Sequence, residues 1–241
     1  MPEDLLDAYM EPLLIGDRVT CRDIVHNELA ARTSGKDVYE HLLWPAMEQI
    51  DTLFRKDRIN TAVEHMATRI NRALADQVQR ALKPREANGR SVLITCADGE
   101  PEELGAQMCA DLFEADGWGV YFLGGGVPND EIQALVGRIR PDILLIYGTQ
   151  PQGVPGVRQL VDSIREVACN PSMNIMVSGG VFNRADGLWK EINADIFAAT
   201  VRQAIELANG AQPRPPEVRI PGAPKKRRRR RRPPLLATAD A

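Results

Sequence analysis

Ser91-Val92-Leu93-Ile94-Thr95-Cys96 is a short apolar, β-branched run after a polar segment, and it predicts a buried parallel strand. Similar runs follow at residues 119–123, 142–147, 174–178 and, more weakly, 194–197. Helical stretches lie between and after these runs, at residues 102–115, 129–138, 154–167, 184–192 and 200–208. Alternating strands and helices form βαβ units with right-handed crossovers. We therefore expect residues 91–210 to form a five-stranded parallel sheet with helices on both faces.

The segment before this domain has a different pattern. Residues 3–84 contain little glycine and show helical periodicity, which predicts helices at residues 4–15, 19–31, 36–54 and 60–82. Pro45 lies inside the third helix, where it should produce a kink or occupy a turn that tolerates the lost donor. Helices with short connections predict a four-helix bundle, and residues 85–90 read as a polar linker to the sheet.

The charge of the chain is unevenly distributed. Lys225 to Arg232 is an unbroken run of eight cations, and removing them from the net charge of −3 leaves −11 on the rest. Residues 211–241 are Pro-rich without apolar periodicity, so we expect them to be disordered. An arginine-rich run can contact the phosphates of a nucleic acid, an acidic protein partner or the acidic body of the same chain. It can also serve only as a solvated tail.

Several function classes are disfavoured by composition. No run approaches the roughly 18–20 apolar residues of a membrane helix. The N-terminus is acidic where a secretory signal would be basic, so we expect a cytoplasmic protein. The four cysteines form no CxxC pair, which argues against a zinc site or a disulfide framework. We find no nucleophile–base pair, and with only three histidines we do not expect the chain to be an enzyme on its own.

The ends of the predicted strands carry the candidate ligand site. In an open parallel sheet, ligands bind beyond the carboxyl ends of the strands, where glycine lets the backbone approach them closely. Glycines follow four of the strands, at residues 99 and 105, 124–126, 148 and 179–180. Phosphate fingerprints are absent, since neither GxGxxG nor GxxxxGK[ST] occurs. The loop after the first strand instead contains carboxylates that would repel a phosphate, at Asp98, Glu100, Glu102 and Glu103.

Five short stretches together resemble one known family. They are Phe54 with Glu64-His65 ten residues later, Leu123 to Pro128, Arg140 to Leu144, Met176 to Gly180, and Ala194-Asp195. In that order, after a helical module, they resemble the helical cap and flavodoxin-like domain of cobalamin-binding proteins. Members include methionine synthase, corrinoid methyl-carrier proteins and light-sensing cobalamin repressors. The resemblance covers about residues 3–210.

The resemblance implies a cofactor, cobalamin or a related corrinoid, and a set of residues that contact it. Those residues lie in the cap and at the strand ends: Phe54, Glu64, His65, Glu102, Gly105, Gly124, Tyr147, Gly148, Thr149, Gly179 and Gly180. His65 would then contact the upper face of the corrin; alternatively, it is a hydrogen-bonded histidine on a buried helix face.

Three of these positions depart from the family pattern. The family loop Asp-x-His-x-x-Gly, whose histidine binds cobalt, ends here at Gly105 with Glu102 in the histidine position. A carboxylate is a harder ligand than imidazole and a poorer match for cobalt, and Glu102 can equally complement a helix N-terminus. Tyr147 stands where the family has the serine that contacts the cofactor's nucleotide base, and a ring this large can partly fill that channel. Phe54 replaces the tryptophan that covers the corrin.

These observations support three functions. The first is a corrinoid-binding sensor or regulator, which signals through the packing of cap against sheet to a partner such as a transcription regulator. The second is a methyl-carrier subunit of a corrinoid methyltransferase system, against which Glu102 argues. The third is a scaffold that binds partners but has a degenerate site.

Overall fold

The computed structural model describes residues 3–31, 33–100 and 102–215, so the cationic run Lys225 to Arg232 lies outside the described residues. Helices of the N-terminal module are α1 (Glu3–Ile15), α2 (Arg18–Ala30), α3 (Gly35–Val38), α4 (Trp44–Arg55) and α5 (Thr61–Gln79). Strands are β1 (Ser91–Cys96), β2 (Gly119–Gly124), β3 (Ile143–Tyr147), β4 (Asn174–Ser178) and β5 (Ile196–Ala198). Helices among the strands are α6 (Leu104–Ala115), α7 (Asn129–Ile139), α8 (Val154–Val167), α9 (Gly180–Arg184), α10 (Leu188–Glu191) and α11 (Val201–Gly210).

The N-terminal module is a four-helix bundle, as the sequence predicts. Its third member is one rod made of α3, a π-helical segment at Tyr39–Leu43, and α4. Pro45 is the second residue of α4, directly after the π-helical segment. Proline has no backbone N–H to donate to the preceding turn, and the wider π-helical turn tolerates this missing hydrogen bond. The irregularity predicted at Pro45 is therefore a π-helical segment within a continuous helix. Asn60 begins α5 by accepting a hydrogen bond from the Val63 backbone N–H at 3.0 Å.

The sheet confirms the flavodoxin-like prediction. Its strands are all parallel and lie in the order β2-β1-β3-β4-β5. Ile94 in β1 pairs with Phe122 on one side and Leu145 on the other, which sets the register of the central strands. The order reverses between β1 and β3, and crevices for ligands form at this position in open α/β sheets.

Helices cover both faces of the sheet, but the two faces differ. On one face, α6 and α11 share a continuous hydrophobic core with the bundle, from Tyr9 and Leu13 in α1 to Ile205 in α11. On the other face, α7 and α8 pack in a separate core that includes Val136 and Leu160. The bundle, called the cap below, is therefore fastened to the sheet by a shared apolar interior.

Local predictions fail mainly around β4 and β5. A helix expected at residues 184–192 is wrong: the chain forms the short helices α9 and α10, separated at Gly187, whose φ is +75°. β5 starts at Ile196 rather than Ala194, and α6 starts at Leu104 rather than Glu102. In both cases a carboxylate just before the element makes a tertiary contact. Asp195 accepts from the Ile175 N–H before β5, and Glu102 accepts from Arg72 before α6.

Candidate functional site

A cavity of about 360 Å³ lies between the cap and the carboxyl ends of the strands. The cap supplies α4 and α5, and the sheet domain supplies the loops after β1, β3 and β4. Eight of the eleven predicted residues line it: Phe54, Glu64, His65, Glu102, Tyr147, Thr149, Gly179 and Gly180. The volume falls in the lower part of the usual range for ligand pockets, roughly 300–1,000 Å³.

The other three predicted residues lie behind this surface. Gly105 is buried under Tyr147, and Gly148 packs against Ala97 and Phe182. Gly124 lies beside the Glu103 carboxylate, where a Cβ atom would be 2.8 Å from Oε2. These glycines leave space for side chains of the protein itself. None of the three lines the cavity, so their predicted contact with a ligand gains no support from it.

The inner end of the cavity is aromatic. Trp44 in α4 meets the Tyr147 ring edge to face, with the ring centroids 6.4 Å apart and the planes at 82°. Tyr147 is 5% exposed, and burial raises the pKa of its hydroxyl well above the ordinary value. The phenol therefore stays protonated and forms a wall rather than an anionic ligand. Met47, Ile50 and Phe54 continue the apolar surface along α4.

The acidic loop after β1 is held by hydrogen bonds to three parts of the protein. Glu100, only 9% exposed, accepts hydrogen bonds from the Thr149 N–H at 2.6 Å and from its hydroxyl at 2.5 Å. Glu102 accepts from the Arg72 guanidinium and from the Leu104 N–H, both at 2.8 Å. Glu103 accepts from the Gly125 N–H at 2.9 Å. These carboxylates therefore brace the strand ends and the cap.

Two ion pairs cross from the cap to the sheet domain at the cavity. The first is Arg72 of α5 with Glu102. In the second, Arg184 of α9 reaches Asp51 of α4 at 3.3 Å and donates to the Thr149 carbonyl at 2.5 Å. Burial, followed by the neighbouring Arg55, lowers the pKa of Arg184. Any ligand that widens the cavity must alter these contacts.

Glu64 and His65 lie side by side at the mouth. The Glu64 carboxylate is 3.4 Å from His65 Nε2, and the His65 side chain is 66% exposed. The alternative of a buried structural histidine is therefore wrong. Of the lining residues, His65 is the only one with an imidazole.

Trp44, Glu48 and Arg184 are site residues that sequence reasoning missed. Trp44 Nε1 donates to Glu48 Oε1 at 3.0 Å, and burial raises the pKa of Glu48 above its ordinary value. Helical periodicity could have placed Trp44 and Glu48 on the same face of α4 as Asp51, since they are spaced by four and three residues. No local pattern indicates that Arg184 crosses to the cap, because its partner Asp51 is 133 residues away.

Neither a metal-binding cluster nor a membrane-spanning helix occurs in the described parts of the chain. Residues 3–31, 33–100 and 102–215 contain no group of three or more His, Cys, Asp or Glu side chains arranged to hold a metal ion. Over the same residues, every helix is too short or too polar to cross a membrane.

Comparison with known proteins identifies both modules. A family model described as the B12 binding domain matches residues 90–208, and a second model of the same description matches residues 5–82. The HTH-type transcriptional repressor CarA of Myxococcus xanthus is 31% identical over 117 residues, which cover 47% of this chain and 39% of the repressor. This chain therefore spans less than half the length of that relative.

A solved structure shares the fold over nearly the whole described chain. The monomethylamine corrinoid protein of Methanosarcina barkeri superposes with a TM-score of 0.76 at 18% identity. The superposition covers 86% of this chain and 97% of that protein. At this level of identity the likeness concerns the fold alone.

Proposed function

We propose that this chain, which belongs to the two-module cobalamin-binding family, is a corrinoid-dependent regulator that changes its cap–sheet packing when the cofactor binds. The observation that carries this proposal is the cavity walled by both modules and crossed by Arg72–Glu102 and Arg184–Asp51. A ligand there contacts both modules at once. Its binding energy is thereby coupled to the equilibrium between packed and opened arrangements of the cap.

The residues present fit a flat macrocycle on its upper side. Trp44, Met47 and Phe54 offer an apolar surface, and a corrin ring has extended apolar faces. A whole corrinoid is larger than the cavity, so its periphery would extend through the mouth, beside Glu64 and His65. A bound corrinoid would supply a cobalt centre that responds to light or redox state. His65, which lines the cavity at its mouth, would be the residue that contacts the group on that side.

The lower side fits less well. Glu102 shares its Oε1 between Arg72 and the Leu104 N–H, so that oxygen could bind a metal only after the ion pair breaks. This supports regulation over the methyl-carrier alternative, which relies on a protein ligand under the cobalt. The scaffold alternative is disfavoured because Met47, Ile50 and Phe54 keep an apolar wall on the cavity, as ligand pockets do.

A regulatory role also agrees with the relative found for part of the chain, which is a transcriptional repressor. We therefore propose a transcription regulator as the partner. The cation run at Lys225 to Arg232 would add electrostatic contacts to nucleic acid or to an acidic surface.

Binding and the response to it can be tested together. Titration with hydroxocobalamin, followed by absorption, should give saturable uptake, and hydrogen exchange should change in α4, α5 and the loop after β1. Phe54→Ala should weaken binding by about tenfold, since it removes apolar contact with the ring. Phe122→Ala is the matched control, because Phe122 is exposed on β2, the edge strand. Lack of uptake would refute corrinoid binding, and uptake without altered exchange would refute the regulatory mechanism.

A further inference from the structure

The Tyr147 side chain fills the space directly behind the cavity. A Cβ atom placed on Gly105 would be 2.1 Å from Tyr147 Oη and 2.3 Å from Cζ. The ring therefore rests on the backbone of the first turn of α6, at a position where only glycine allows it. Trp44 closes on the ring from the cap side. The space between the end of β3 and the start of α6 is occupied by this tyrosine.

The neighbouring loops leave little freedom to vacate that space. Glu100 holds Thr149, two residues after Tyr147, by two short hydrogen bonds. Glu102 holds Arg72 of the cap just before α6. Opening the space would require moving a buried aromatic ring and breaking charge-assisted bonds on both sides of it. The inner wall of the cavity is consequently closed by packed side chains.

We propose that Tyr147 limits recognition to the corrin ring. A corrinoid then binds with its nucleotide outside the sheet, and the nucleotide adds nothing to the affinity. In a cobalamin the nucleotide base hangs from the lower side of the ring and can either coordinate the cobalt or swing away. Tyr147 fills the space behind the cavity, and no imidazole side chain lies there to replace the nucleotide base on the cobalt. The base would therefore remain bound to the cobalt of its own corrinoid. A corrinoid that lacks the nucleotide is therefore accepted equally well. This inference rests on the proposed corrinoid binding.

Paired ligands provide the test: cobalamin and cobinamide, which has the same ring without the nucleotide. We expect dissociation constants for the full-length chain that agree within about threefold. Electron paramagnetic resonance of the bound cobalt(II) forms should show nitrogen hyperfine splitting with cobalamin and none with cobinamide. That pattern assigns the axial nitrogen to the nucleotide rather than to the protein.

The opposite results would overturn the inference. Bound cobalamin without nitrogen splitting means that the base has left the cobalt, and splitting with cobinamide means that a protein nitrogen coordinates it. If cobalamin binds more than about tenfold tighter than cobinamide, the nucleotide has found a site of its own. If neither corrinoid binds, the proposed function fails along with the inference.

Variants assign the selectivity to one side chain. Tyr147→Ser should open the space next to Gly105 and release the nucleotide from cobalt in part of the bound cobalamin. Tyr147→Phe is the matched control, since it keeps the ring and should behave as the parent does. A folded Tyr147→Ser variant with full nitrogen splitting and an unchanged affinity ratio would show that Tyr147 does not set the selectivity.

Discussion

Replacement of Asp111 by asparagine should stabilise the protein at neutral pH and leave it unchanged near pH 4. Asp111 of α6 is 6% exposed and faces Tyr39 of the cap. Burial raises its pKa to about 6, with the nearby Asp76 and Glu114 adding to the effect and the Tyr39 hydroxyl opposing it. The Tyr39 hydroxyl lies 2.8 Å from both Asp111 Oδ2 and the Ala75 carbonyl.

The sign and size follow from proton linkage. The pKa of Asp111 lies about two units above the ordinary value of 3.8, so its favourable contribution is complete below pH 4 and is lost as pH rises through 6. At 1.36 kcal/mol per unit, the loss amounts to about 3 kcal/mol. Asparagine does not titrate, and its amide oxygen can accept from the Tyr39 hydroxyl as Asp111 Oδ2 does. We expect Asp111→Asn to be more stable than the parent by about 2 kcal/mol at pH 7.5.

Urea unfolding, followed by circular dichroism between pH 4 and 7.5, measures this difference. The curve of variant minus parent should rise through pH 6 and level off above it. Glu11→Gln, at an exposed position within α1 and away from the first turn, serves as the control and should give a flat difference. A flat curve for Asp111→Asn, or a variant less stable than the parent at pH 7.5, would refute a raised carboxyl pKa at this interface.

Three further substitutions test the contacts around the cavity. Gly105→Ala should lower the free energy of unfolding by about 2–3 kcal/mol through its clash with Tyr147. In the Tyr147→Ser background, which is itself destabilised, the same substitution should cost much less by thermal melting, and equal costs in the two backgrounds would contradict the packing. Glu100→Gln should cost about 1–2 kcal/mol because it weakens the charged acceptor for the loop after β3, as denaturant unfolding can establish. Arg72→Ala should cost about 1 kcal/mol and increase hydrogen exchange in the loop after β1; unaltered exchange would show that the ion pair does not hold that loop.

The fold could be predicted because its signals are local. Buried parallel strands are continuous apolar runs, and Ser91–Cys96 and Ile143–Tyr147 show this with little ambiguity. The failure at residues 184–192 is instructive, because apolar residues there have helical spacing. Gly187, at φ +75°, divides the segment, and Arg184 extends to Asp51 in the cap. Tertiary contacts override local periodicity at that point.

The site was predicted in outline but not in its chemistry. The resemblance to cobalamin-binding proteins implied that Phe54 and His65 belong to the site, and both residues line the cavity. Whether Glu102 binds a cofactor or forms an ion pair with the cap depends on Arg72, which is 30 residues away in another module. The role of Gly105 likewise depends on Tyr147, which packs on it from the end of β3. The two residues are separated along the chain by β2 and α7. Such pairings form only when the chain has folded, and no residue type signals them in advance.

The loop after β1 connects the cap to the ends of two other strands. One short segment contacts the cap through Glu102, the loop after β3 through Glu100 and the loop after β2 through Glu103. Because the three contacts share one backbone, displacing the cap from Glu102 changes the positions available to the other two carboxylates. Gly124, with φ +70°, and Gly125 let the loop after β2 follow Glu103 closely. These contacts connect the cap to β2, the edge strand of the sheet, where the exposed Tyr121 and Phe122 lie.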